Sequence, residues 1–425
     1  VDRLLTTDYR LPTTDYSQGL TMEGVIFGLD IGTTKICALV GEIRQGQMQI
    51  AGLGHEPAKG MRKGMIVDVA EATVSIARAV EKAEHTSGYS LSRAIVSMAG
   101  EHIDSTNSRG TVAIGRNNNG ILHEDIERAL DIAQAISLPH NREIVHLVPR
   151  TFTLDDQEEV RSPIGMHGYR LEVEAHIVTA ATPALMNLSH TIDNVGIQVE
   201  EFVLNALASA EAILEPTERE MGVIVADIGG GTTDIALFNK GGVWHTEVIP
   251  VGGYHITNDI AIGLRVPFEV AEEVKIKYGD CRPDQIDPGV VFTVEPFGGE
   301  KIQVGRQDLA HVIEARVEEI FQLILQEIRD SGYQGLLPAG IVLTGGASQI
   351  RGITRVAQRV LGVPARVAKP KNLIGLVDTL NSPAFATSVG LLNWATSGHN
   401  TFRPRARQHE FGRRIGSFFR ALLPG

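Results

Sequence analysis

Apolar runs of strand length, each closed by a glycine or a polar turn, alternate along this chain with segments whose apolar residues recur every three or four positions. Residues 25–54 read as successive strands. Across 67–84 the apolar residues Val69, Ala72, Val74, Ile76, Ala77 and Val80 approximate a helical period and predict a helix. A short strand is predicted over 94–99. The rhythm breaks between 101 and 176. There Asn117, Asn118, Asn119 and Gly120 mark a loop, and 124–136 reads as an amphipathic helix. Two strands, 144–154 and 169–178, are joined by the turn-rich 161–168, so this region predicts a small α+β subdomain inserted into a larger fold. Helices follow over 183–195 and 206–214, with Pro183 near a start and Gly196 past an end. Strands are predicted over 243–251 and 341–344. Between them lie a helix opened by Gly252 and Gly253, a helix over 271–279 and a long amphipathic helix over 308–330. Residues 1–21 have no periodicity and read as a disordered extension.

One stretch carries chemistry as well as pattern. The apolar run from Val223 delivers Asp227 to Gly229, Gly230 and Gly231; Thr232, Thr233 and Asp234 follow, and a second apolar run ends at Phe238. Glycines at such a turn allow positive φ and bring backbone N–H groups close to a ligand. A strand, tight turn and strand wraps those donors around phosphate oxygens while one carboxylate holds a hydrated magnesium ion. The lysine of the P-loop is missing, so this is a different device. The same phrase of strand, Asp, glycine and hydroxyls occurs at Asp30, Ile31, Gly32, Thr33, Thr34 and Lys35, 197 positions earlier (227 − 30). That spacing is too wide for a solenoid repeat and fits a duplicated α/β domain with one phosphate-gripping hairpin in each half. Gly345 and Gly346 make a third close-approach turn, suited to a flat base or ribose. Glu272 and Lys275, three apart on one predicted helix, share a face.

Composition excludes more than it selects. A chain of 425 residues has room for two or more domains. A formal net charge of −12 argues against a general nucleic-acid binder. Cys37 and Cys281 have no metal spacing, and Cys37 lies in a strand-like run where it reads as a core residue. A reduced, cytoplasmic protein is expected, since no apolar run reaches the length of a membrane span and no secretory signal precedes the first domain.

The order of these motifs resembles the superfamily of actin, heat-shock chaperone ATPases and sugar kinases and, within it, the FtsA family of bacterial actin-like cell-division proteins. The resemblance covers nearly all of 24–423. It rests on the two hairpins, on 271–279, on Thr344-Gly345-Gly346-Ala347-Ser348, and on the run from Ser382 to Gly390. It implies an α/β, duplicated actin-like ATPase fold with an inserted small α+β subdomain and a C-terminal amphipathic helix. The expected limits are an extension at 1–23, domain 1A from 24–92, 177–205 and 383–396, and the inserted subdomain 1C at 93–176. Domain 2A would hold 206–253 and 337–382, subdomain 2B 254–336, a linker 397–410 and the helix 411–425. By the same resemblance Asp30, Gly32, Thr33, Thr34 and Lys35 form the first phosphate site. Asp227 with Gly229, Gly230, Gly231, Thr232 and Thr233 forms the second. Glu272 and Lys275 flank the nucleoside, and Gly345 with Gly346 backs the adenine. The ligand implied is ATP with Mg2+, the ion reached through water by Asp30 and Asp227. Asn205 stands where relatives that hydrolyse ATP well carry Glu or Gln to orient the attacking water. ATP binding with at most slow hydrolysis follows, in a protein that is not primarily a metabolic enzyme.

The tail adds what the superfamily fold does not. Phe411, Ile415, Phe418, Phe419, Leu422 and Leu423 fall within an arc of about 140° on a helix, with Arg413 and Arg420 opposite. Arg414 joins them in a segment where, from Gly398 on, six arginines face one acid, Glu410. Paired Phe and Leu with flanking Arg fit a helix lying in a membrane interface. By resemblance the protein would sit on the cytoplasmic side of the cell membrane at the division septum as a peripheral protein. It would form filaments with itself, bind the C-terminal tail of the tubulin-like FtsZ and recruit later division proteins. Two alternatives share the nucleotide motifs: the pilus-assembly actin homologue PilM, which usually lacks such a helix, and a small-molecule kinase of the sugar-kinase type, which has no use for one.

Overall fold

The computed structural model describes residues 24–115 and 120–397. The expected extension at 1–23, the asparagines 117–119, and the sequence from 398 on, with every residue assigned to the amphipathic helix, lie outside the described residues. The described chain forms two compact units, one made of the residues up to Ser105 and from Ala180, the other of Thr106–Thr179.

The chain opens with β1 (Val25–Ile31), β2 (Lys35–Arg44) and β3 (Gln47–Pro57), then a short ladder of β4 (Met61–Arg62) and β5 (Met65–Ile66), helix α1 (Val69–Ser87) and β6 (Arg93–Met98). The next strand, β7 (Ile103–Ala113), leads to α2 (His123–Ala133), β8 (Arg142–Leu154), β9 (Gln157–Val160) and β10 (Arg170–Ala181). After α3 (Thr182–Asp193), β11 (Gln198–Leu204), α4 (Asn205–Ile213) and α5 (Pro216–Met221) comes the second half: β12 (Val223–Ile228), β13 (Thr233–Asn239), β14 (Gly242–Ile249), α6 (Gly253–Leu264) and α7 (Phe268–Tyr278). It continues with β15 (Val291–Val294), β16 (Ile302–Gly305), α8 (Arg306–Asp330), β17 (Ile341–Thr344), α9 (Ile353–Leu361), β18 (Ala365–Val367) and α10 (Ala386–Thr396).

The duplication is explicit in the sheets. One runs β3-β2-β1-β6-β11 and the other β14-β13-β12-β17-β18. In each, three strands form an antiparallel meander and the two further strands add in parallel. Each half has its own core, built on Leu29, Val40, Ile76 and Val96 in the first and on Ile224, Leu343, Ile320 and Phe321 in the second. The unit Thr106–Thr179 has a third core, around Leu130, Leu147, Leu171 and Val173.

Several expectations are corrected. Residues 93–98, assigned to the insert, pair with β1 and β11 and belong to the first sheet. On α1 the residues buried are Ala72, Ser75, Ile76, Ala79, Val80 and Ala83, whereas Val69 and Val74 are exposed. The cause is the closeness of helix and sheet: a Cβ on Gly54 of β3 would lie 1.7 Å from Ala79 O, so small residues must face it. The sequence reading misses β4, β5, β7, β9, β11, β15, β16 and β18. In β7 only Ile103, Gly110 and Val112 are buried along eleven mostly polar residues, and β18 is three residues long, so neither carries a strand-like apolar run.

Candidate nucleotide-binding site

The two hairpins are the same object at two places. In β1–β2 Asp30 pairs with Cys37 and Ile31 with Ile36; in β12–β13 Asp227 pairs with Asp234 and Ile228 with Thr233. Gly32 N–H donates to Lys35 O and Gly229 N–H to Thr232 O, each at 2.9 Å. A constant shift therefore sets Thr33 and Thr34 in the places of Gly230 and Gly231, and Lys35 in the place of Thr232. The hydroxyls of the two phrases are not equivalent positions. They are complementary instead, because the tips meet. A Cβ on Gly230 would lie 2.3 Å from Thr34 Cγ2, and one on Gly231 would lie 2.6 Å from Thr33 Oγ1 and 2.9 Å from Lys63 Cα. The expected positive φ is absent from Gly229, Gly230 and Gly231. Glycine is needed at 230 and 231 because two backbone turns approach each other, with no strained dihedral involved.

The carboxylates at the bases of the hairpins are buried and held by one helix start. Asp227 Oδ2 accepts from Ser209 Oγ at 2.6 Å and from Thr387 Oγ1 at 2.7 Å. Asp30 Oδ2 accepts from Ser388 Oγ at 2.6 Å and Lys35 Nζ at 2.7 Å, while its Oδ1 accepts from Ser97 Oγ at 3.0 Å. Consecutive residues at the beginning of α10 thus reach both halves of the duplication. Burial pushes Asp227 above the usual carboxylate range, although the Ser209 and Thr387 hydroxyls pull it back. Asp234 is pushed well above it, first by burial and then by the charge of Asp227; the Thr232 hydroxyl and the Asn205 amide only partly offset this. Burial works against the charge of Lys35, yet Asp30, with Cys37 and Asp227 behind it, holds the ammonium above its ordinary pKa.

Beyond the second hairpin the chain turns back to cap it. Gly253 N–H donates to Gly229 O and Tyr254 N–H to Gly230 O, both at 2.8 Å, at the start of α6. Lys275 Nζ reaches Gly253 O at 3.2 Å, Thr257 Oγ1 at 2.8 Å and Glu272 Oε2 at 2.7 Å, and Thr257 also bonds Glu272. Glu272 and Lys275 are therefore built into the same corner as the hairpin tip. Gly345 has φ 83°, and a Cβ there would stand 2.4 Å from Asp227 Oδ1; a Cβ on Gly346 would meet open space. Gly345 accordingly makes room for a carboxylate oxygen of the hairpin, and Gly346 faces an opening. Asn205 begins α4, and its Oδ1 is buried without a hydrogen-bond partner, as is Asp234 Oδ1.

These features suit a hydrated divalent cation. Three buried carboxylates, Asp30, Asp227 and Asp234, act on one another around Lys35, and two acceptor oxygens lack donors that the water shell of Mg2+ could supply. The sequence reading named Asp30, Asp227 and the glycines, gave Asp234 no role, and missed the positioning partners Ser97, Ser209, Thr257, Thr387 and Ser388. It also missed Lys63 and Gly64, whose turn seats Gly64 N–H on Thr33 Oγ1 at 3.0 Å. The signal for Thr387 and Ser388 was present in the run from Ser382 to Gly390. No signal marked Ser97, a lone serine in a buried strand.

Comparison with known proteins follows this geometry. A family model described as cell division protein FtsA matches residues 224–390, and one described as the SHS2 domain inserted in FTSA matches residues 100–179. The chain is 42% identical to cell division protein FtsA of Pseudomonas aeruginosa, over 87% of this chain and 88% of that one. It is 40% identical to the Bacillus subtilis protein of that name, over 86% and 82%, and 35% identical to that of Escherichia coli, over 88% and 91%. Among solved structures it is similar to the PilM–PilN type IV pilus biogenesis complex, with a TM-score of 0.63 at 17% identity, covering 86% of this chain and 97% of that one. It is also similar to MreB5 of Spiroplasma citri bound to ADP, with a TM-score of 0.51 at 14% identity, covering 88% and 96%. Among the described residues no helix is long and apolar enough to cross a membrane.

Proposed function

Because this chain belongs to the FtsA family of cell division proteins, we propose that it is an ATP-binding, actin-like protein that polymerises at the cytoplasmic face of the membrane, tethers the FtsZ ring there and recruits later division proteins. The observation that carries the nucleotide part is the meeting of two equivalent hairpins, with Asp30 and Asp227 fastened to Ser388 and Thr387 of one helix. In this reading the hairpin N–H groups and Lys35 orient the phosphates, and Glu272 and Lys275 flank the nucleoside. Gly346 leaves space for the base. Asp227 and Asp30 hold Mg2+ through water, and the ion when bound neutralises phosphate charge. The ADP bound to MreB5 of Spiroplasma citri supports a nucleotide in this fold. The pilus-assembly alternative rests on a fold likeness at 17% identity, far below the identity to the cell-division relatives. The membrane part rests on the amphipathic pattern of 411–423.

Electron microscopy of the purified full chain on anionic lipid vesicles, with and without ATP, tests the proposal. Filaments coating the vesicles only with nucleotide are expected. Bare vesicles together with unchanged scattering in ATP would overturn it.

A further inference from the structure

Strand β14 is the outer strand of the second sheet. His245 and Glu247 lie two apart on it and so share a face. They pair with Leu237 and Ile235 of β13, whose side chains belong to the core that also holds Ile320, Phe321 and Ile324 of α8. His245 and Glu247 therefore stand on the face that α8 covers. Glu327 lies about one turn beyond Ile324 on that helix. One ligand atom from each of His245, Glu247 and Glu327 lies within 4.8 Å of the other two, and all three residues are half-buried.

We propose that His245, Glu247 and Glu327 form a binding site for a divalent transition-metal ion, with zinc its best occupant. One imidazole nitrogen and two carboxylate oxygens supply three protein ligands and leave a position for water. The nitrogen donor sets the preference: Mg2+ and Ca2+ take oxygen ligands, whereas imidazole suits zinc and its neighbours. The surrounding charges point the same way. Three other acids of α8 are matched with arginine: Glu314 and Glu318 with Arg359, and Glu319 with Arg316. At Glu327 an acid faces an acid and a histidine, a grouping that a cation relieves. The ion would fasten the outer strand of the sheet to the last turns of α8. No residue of this site belongs to the hairpins, so its test is independent of nucleotide binding.

The experiment uses the full chain, stripped with EDTA and free of nucleotide and magnesium. Zinc is titrated calorimetrically, and cobalt is titrated by its visible absorption, whose intensity reports four- or five-coordination. One equivalent of zinc with a Kd of about 1 µM or tighter is expected, undisturbed by millimolar Mg2+. His245→Ala and Glu327→Gln should each weaken zinc at least about tenfold and remove the cobalt spectrum, while the urea midpoint in EDTA stays near that of the wild type. Glu327→Gln is nearly isosteric and decides the matter if His245→Ala does not fold. Trp244, adjacent to His245, gives a second readout through cobalt quenching of its fluorescence, which the variants should lose. A wild type that binds zinc no tighter than about 100 µM would overturn the proposal, as would wild-type affinity in Glu327→Gln.

Discussion

The contact between the two hairpin tips supports a compensation test. A Cβ at position 230 would overlap Thr34 Cγ2. Gly230→Ala should therefore cost about 1–3 kcal/mol by overpacking and weaken ATP binding by prying the tips apart. Removing the obstructing side chain in the double variant Gly230→Ala/Thr34→Gly should recover most of the stability and much of the affinity, read by thermal melting and a fluorescent nucleotide. Additive losses would mean that the tips do not touch. The sequence identified these glycines, but the positive φ expected of them is absent and their contact with the other hairpin was not foreseen, because a close approach across 196 residues of chain leaves no local trace. The cysteines were legible, since Cys37 lies in an apolar run. Both thiols are buried, and burial pushes Cys37 up to about 11 and Cys281 up to about 12. A raised thiol pKa keeps the unreactive protonated form at pH 8. Native protein should thus show no thiol reactive toward a disulfide reagent at that pH, and two after denaturation.

Among the elements, α10 has the most to explain, and its role in the site was not legible beyond the motif from Ser382 to Gly390. Its sequence is small and apolar nearly all round, which a pattern reader takes for a buried helix and nothing more. Its first residues nonetheless fasten Asp30 and Asp227, and Gly390 lets α4 approach so closely that a Cβ there would stand 1.8 Å from Ala208 O. Polar partners of this kind come from residues distant in sequence, so spacing cannot reveal them. Thr387→Val keeps the shape and removes one of the two hydroxyls on Asp227 Oδ2. The expected cost is about 1.5–3 kcal/mol, the range for a hydrogen bond to a charged group. The sign of the pH effect follows. Burial already raises Asp227, and the hydroxyls lower it. Losing one hydroxyl raises the carboxyl further, so a larger share of native molecules holds a proton there as pH falls. Magnesium-dependent ATP affinity in Thr387→Val should then appear at higher pH than in the wild type. Overlapping pH profiles would remove α10 from the site.

At the scale of the whole molecule the duplication was legible from two short phrases, because both hairpins keep Asp-Ile-Gly at equivalent positions, Asp30-Ile31-Gly32 and Asp227-Ile228-Gly229. The anchor is a different kind of reading, resting on residues outside those the structure describes and on energetics alone. Partial burial of the six apolar residues Phe411, Ile415, Phe418, Phe419, Leu422 and Leu423 contributes about 1 kcal/mol each. Each arginine near anionic lipid adds about 1 kcal/mol. Ordering some thirteen residues costs a comparable sum, offset only in part by helix formation. On the proposed membrane reading, one tail would bind weakly and a filament carrying many would bind firmly through effective concentration. Phe419→Glu places a charge within the apolar arc, at a cost of a few kcal/mol if it stays buried. The expected linker at 397–410 would hold the tail away from both domains, so the variant should keep its fold and its ATP affinity. It should fail to sediment with anionic vesicles under conditions where the wild type polymerises on them. Raising salt should weaken wild-type binding only in part, since screening removes the arginine contribution and leaves the apolar one. A variant that pelleted with vesicles as well as the wild type would end the membrane reading and leave a groove on a partner protein as the place for these residues.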